Sequence, residues 1–157
     1  VLVGDDTLVL LDDIVPARGA PGVITSQIQA GAPTTARGGA SVRIAGREAT
    51  LDVHFFPPDA DTAALRVHPE RPYDTGWGYK FSDTRNIPIS LRYRPEVDRP
   101  LLAVAVDATG SDADTRESIA VDRADGRILV DCGGGRRVRF LRTQRGWIWD
   151  RPAADDP

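Results

Sequence analysis

The stretch ESIAVDRADGRILVDCGGGRRVRFLRTQRGWIWD, residues 117–150, decides the fold. Four runs within it, SIAVD, RILVDC, RRVRFLRT and WIWD, are rich in β-branched, aliphatic and aromatic residues. Between them stand Arg123-Ala124-Asp125-Gly126, Gly133-Gly134-Gly135 and Gln144-Arg145-Gly146. Glycine at such points supplies the positive φ that hairpin turns require, so the stretch predicts a four-stranded antiparallel meander.

The same grammar holds upstream. Residues 7–11 form an apolar strand closed by Asp12-Asp13, and Pro16, Gly19, Pro21 and Gly22 then mark a loop. Over residues 23–30 the pattern alternates, with Ile24, Ser26, Ile28 and Ala30 on one side. SVRIAG and REATLDVHFF predict a hairpin turning at Ala45-Gly46, with Ala49, Leu51, Val53 and Phe55 on the core face. Pro57-Pro58 ends that strand, because proline cannot donate to a ladder, and ALRVH follows as another. Residues 87–94 alternate Ile87, Ile89, Leu91 and Tyr93 against Pro88, Ser90, Arg92 and Arg94; Pro88 predicts an edge strand or a nearby bulge. PLLAVAVDA, residues 100–108, is apolar throughout and predicts a central strand. The sum is about a dozen strands with no substantial helix, an all-β chain expected to form an antiparallel two-layer β-sandwich. Its length suits one domain over residues 1–150, with residues 151–157 a frayed tail of proline, alanine, arginine and aspartate.

Composition excludes several functions. The net charge of −3 combines 19 arginines and the single Lys80 with 23 acidic residues spread along the chain. The arginines alternate with apolar residues, as on a solvated strand face, and form no basic stripe for nucleic acid. No apolar run reaches membrane-spanning length, so no membrane partner is expected. Cys132 is alone and ends an aliphatic strand, which reads as a small buried side chain. The chain begins with Val1 and contains no methionine, so it is expected to be a processed product or a piece of a larger protein.

Few residues carry chemistry. His54 and His68 lie on successive strands that pair if the 57–62 connection is a hairpin, and with Asp52 or Asp59 they are the candidates for a metal site. Solvent-facing strand histidines are the plainer reading, and no cofactor is expected. The segment PYDTGWGYKF, residues 72–81, has a richer content. Tyr73, Trp77 and Tyr79 offer planar faces for sugar rings, and Arg71, Lys80 and Arg85 offer charge for carboxylates, the composition of a saccharide cleft; the plainer reading is that Trp77 and Tyr79 fold back to plug one end of the sandwich. Trp147 and Trp149 share one side of a strand and read as core or edge cover. Gly133-Gly134-Gly135 precedes a strand, whereas a phosphate-cradling loop precedes a helix. Asp112, Asp114 and Glu117 have calcium-like spacing without the glycine of an EF-hand. No GxSxG string raises a serine to nucleophile.

The order of segments carries a resemblance. DTLVLLDDIVPARG, SVRIAGREATLDVHFFPPD, DTGWGYKF and ISLRYRPEVDRPLLAVAVDATG together resemble the C-terminal β-sandwich region of heparinase II/III-like polysaccharide lyases, over residues 7–109. The resemblance implies a parent enzyme that cleaves acidic polysaccharides by β-elimination, with a helical toroid ahead of the sandwich. The family's acid and base, a tyrosine with histidine or asparagine, match no string here, so no catalytic residue is assigned. What is implied is a non-catalytic domain that packs on the preceding helical catalytic domain. Trp77 and Tyr79 stand where family members contribute substrate contacts, and acidic polysaccharide or oligosaccharide is met through the parent protein. Periplasmic or extracellular residence is implied in the same way. An independent carbohydrate-binding module and a structural or protein-interaction sandwich are the alternatives.

Overall fold

The computed structural model describes residues 1–14, 22–70, 86–96, 98–107 and 119–150. Thirteen strands and no helix are found among them, in three antiparallel sheets. The largest sheet has the order β1 (Leu2–Val3), β2 (Thr7–Asp12), β9 (Leu101–Asp107), β6 (Thr50–Phe56), β5 (Ser41–Ala45) and β4 (Thr34–Ala36). A second runs β3 (Ile24–Ala30), β8 (Ile87–Tyr93), β7 (Ala64–Val67). The third is the expected meander, β10 (Ala120–Ala124), β11 (Arg127–Asp131), β12 (Arg137–Thr143) and β13 (Gly146–Asp150).

The apolar run at 101–107 is central, as its composition demands. β9 pairs with β2 on one side and β6 on the other, and both its faces are buried in different cores. Leu102, Val104 and Val106 join Val9 against Ile128, Val130, Cys132, Val138 and Phe140 of the meander side. Leu101, with Val42, Val53 and Phe55, meets Ala30, Ile87, Ile89, Leu91 and Tyr93 of the three-stranded sheet. The two covering sheets are therefore offset. The meander lies over the β2 and β9 end of one face, the three-stranded sheet over the β6 and β5 end of the other. The result is a sandwich in which two cores share one long sheet.

Glycine defines the longest corner of the meander. Gly133, Gly134 and Gly135 all have φ between 60° and 78°, so three consecutive residues turn the chain while Asp131 pairs with Arg137. The Gly133 N–H donates to Asp131 Oδ1 at 3.0 Å. In the β5–β6 hairpin the loop is residues 46–49, two residues later than the turn predicted at Ala45-Gly46. Gly46 is required there because a Cβ would stand 2.8 Å from the Ala49 carbonyl oxygen.

Two expectations need correction. β8 is the middle strand of its sheet despite Pro88. The main-chain N and C=O of one residue in an antiparallel strand face the same neighbour, and the Pro88 C=O accepts from the His68 N–H at 2.9 Å. The missing donor therefore points at the far end of β7, where that strand is running out, and costs one terminal bond of the ladder. The second correction concerns β6 and β7, which do not form a hairpin across residues 57–62. β6 pairs with β5 and β9, β7 with β8, in different sheets.

Candidate functional site

The separation of β6 from β7 dissolves the histidine pair. His54 lies in register with Ser41 and Val104 on the long sheet. His68 Nε2 shares a 2.8 Å hydrogen bond with Ser90 Oγ on the three-stranded sheet. Among the described residues no group of three or more His, Cys, Asp or Glu side chains is placed to hold a metal ion. Asp52, the acidic neighbour of His54, is taken up by Arg43: Nε donates to Oδ1 and Nη2 to Oδ2, both at 2.7 Å. That bidentate pair, first of all, holds the Asp52 carboxyl below its usual range. His54 is half-buried, and desolvation pushes its imidazole below the ordinary value against the pull of the Asp52 charge.

Tyr73, Trp77, Tyr79, Arg71, Lys80 and Arg85 lie outside the described residues, as do Asp112, Asp114 and Glu117. Cys132 is buried, and burial pushes its thiol up, away from the reactive thiolate. The tryptophans of β13 divide. Trp147 packs against the meander core under the Arg142 guanidinium, 5.8 Å from its ring centroid, while Trp149 is 42% exposed. Together with Val1, Val9, Leu11 and Phe140 they line a recess of about 300 Å³ at the sandwich edge.

A larger cleft, of about 410 Å³, opens where all three sheets meet. Phe55 and Phe56 come from the end of β6, Ala63 and Leu65 from the approach to and body of β7, and Val121 and Arg123 from β10. Apart from Arg123 the lining side chains are apolar, with main-chain groups exposed between them, and Arg123 is the one charged residue among the described residues lining it. Its Nη1 donates to the Pro100 carbonyl at 2.8 Å and its Nη2 to the Phe56 carbonyl at 2.7 Å, fastening β10 across the adjacent ends of β9 and β6. Burial lowers its pKa from the ordinary guanidinium value.

No family model, no curated protein and no solved structure matches the chain.

Arg123 belongs to no loop or aromatic cluster that would single it out in the sequence. A signal for it exists. Ile119, Val121 and Arg123 share one parity of β10, and Arg123 pairs in register with buried Ile128, so an arginine occupies the core-facing side of a strand. A third surface likewise has no motif to mark it in the sequence. Leu2 pairs with Leu8, Leu8 with Ala105, and Leu10 with Ala103, all on the face of the long sheet that the three-stranded sheet covers farther along. Here that cover stops, and Leu2, Leu8 and Leu10 are 65%, 38% and 51% exposed.

Proposed function

We propose that the chain is a non-catalytic β-sandwich domain of a heparinase II/III-like polysaccharide lyase, packing on the catalytic domain of its parent through the Leu2, Leu8 and Leu10 face. The observation that carries the reading is this uncovered end of an otherwise buried sheet face, three large apolar side chains in adjacent rows beside half-buried Ala103 and Ala105. Contiguous apolar surface of this kind marks an interface. The resemblance in segment order over residues 7–109 supplies the family and, with it, the acidic polysaccharide.

Co-expression with the helical region of the same gene tests the reading. The wild-type chain is expected to co-purify with that region, and Leu8→Lys with Leu10→Lys to abolish the association while the circular dichroism of the chain is unchanged. A wild-type chain that remains separate, or a gene with no helical region, would remove the reading. One observation favours a second reading, a carbohydrate-binding module acting alone: Trp149 stands exposed beside Trp147 at an edge recess. Titration with acidic and neutral oligosaccharides, followed by tryptophan fluorescence in wild type, Trp77→Ala and Trp149→Ala, separates the two. Saturable binding by the isolated chain, lost in either variant, selects the module.

A further inference from the structure

We propose that the cleft at the junction of the three sheets binds a small organic monocarboxylate with an apolar body, its carboxylate on the Arg123 guanidinium and its hydrocarbon against Phe55, Phe56 and Leu65. The inference goes beyond the domain's packing role and concerns a different surface from the leucine face.

Three features carry it. The cleft has the size of a small-ligand site, about 410 Å³, and among the described residues its lining side chains are apolar except for one charged anchor. The anchor is a cation held by neutral partners: its hydrogen bonds are to two main-chain carbonyls, and no carboxylate among the described residues lies within ion-pair distance of it. Of its five N–H donors those two bonds use two, so donors remain for a ligand. Among the described residues the nearest charges leave the site positive, since the Arg99 cation opposes Arg123 and the Glu96 carboxylate is held by Arg99 Nη1 at 3.0 Å. A half-buried guanidinium whose charged form is disfavoured by desolvation gains from an incoming anion, and this wall chemistry selects the rest of the ligand. A polyhydroxylated body would leave its hydroxyls unpaired against phenylalanine and leucine, whereas an alkyl or aryl body is stabilised there.

Titration calorimetry of the whole chain at neutral pH with sodium octanoate, below its micelle concentration, tests the assignment. Saturable one-site binding is expected, weakened at least tenfold in Arg123→Gln. Octylammonium and octan-1-ol, which lack the negative charge, are expected to bind at least tenfold more weakly than octanoate, and so is glucuronate. Because Arg123 also ties three strands together, Ala60→Trp is the second variant. Ala60 is an exposed rim residue of the cleft, so the indole blocks the mouth without touching Arg123, and the same loss of binding is expected in a chain with an unchanged circular dichroism spectrum. No saturable binding by the wild type up to millimolar octanoate, or equal binding of octanol, would overturn the proposal. So would octanoate affinity unchanged in both variants. Glucuronate binding as tightly as octanoate would also overturn it, by giving the cleft to a sugar.

Discussion

Tyr93 is 1% exposed, and its hydroxyl has no hydrogen-bond partner among the described residues. Burial above all, with the Asp12 charge assisting, pushes its pKa up to about 12. A hydroxyl buried without a bond costs roughly 1–3 kcal/mol, so Tyr93→Phe is expected to be neutral or to stabilise by up to about 1 kcal/mol in urea unfolding. A clear loss of stability would mean that the hydroxyl finds a partner in solution. Asp52 and His54 both contribute to the response to acid. Both have folded pKa values below their unfolded ones, so the unfolded chain binds more protons and stability falls as pH falls. For His54 the contribution is complete above about pH 6.5 and is lost as pH drops toward the folded value; for Asp52 the loss begins near about pH 3.9. His54→Gln is therefore expected to flatten the part of the stability profile just below about pH 6.5, and Asp52→Asn only the part below about pH 4. Urea midpoints measured across that range check both. Asp52→Asn also leaves Arg43 without its bidentate partner, at a cost of about 1–3 kcal/mol at neutral pH.

At the scale of strands and turns, what could be read depended on whether a feature was local. The meander was legible because its strands are consecutive and each turn announces itself by glycine. β9 was legible because an uninterrupted apolar run has no polar face to show to water. The 46–49 loop was placed two residues early because Ala45 still pairs with Thr50 and only Gly46 clears the Ala49 carbonyl. Gly46→Ala should therefore shift that loop and cost about 1–2 kcal/mol, visible as a lower thermal midpoint. Pro88 reads as an edge signal because the sequence does not show where β7 ends, and so does not show that the missing N–H falls at the end of a ladder. β1 and β4 were too short to show a pattern, with two and three residues. Within the meander, Ile128 is 1% exposed at the centre of its core, and Ile128→Ala is expected to destabilise by about 2–5 kcal/mol in the same assay. Little of the candidate site was legible. Arg123 becomes a cleft residue only when β10 is laid across the ends of β9 and β6, a placement made by contacts distant in sequence.

For the molecule as a whole, the offset of the two covering sheets explains both the shared stability and the exposed surface. Each core needs the long sheet, and β9 contributes to both, so loss of either cover uncovers apolar side chains of the same strand. Unfolding is accordingly expected as one transition, with tryptophan fluorescence of Trp77→Phe, which reports on Trp147 and Trp149 in the meander, coinciding with far-ultraviolet circular dichroism. Two separate transitions would mean that the meander and the three-stranded sheet melt independently. The partition of the long sheet was not readable in advance, since alternation says which side chains share a face and not which sheet lies upon it. The same pairing has a consequence during synthesis. Thr7 meets Val106 and Leu8 meets Ala105, so β2 has no inner partner until the chain has been made almost to its two-thirds point. At about 5–20 residues per second, β2 leaves the ribosome on the order of 5–20 s before β9 does. For that interval the nascent chain carries a leucine-rich strand with an unpaired backbone edge, and its yield in the cell will depend on how well that edge is shielded until β9 arrives.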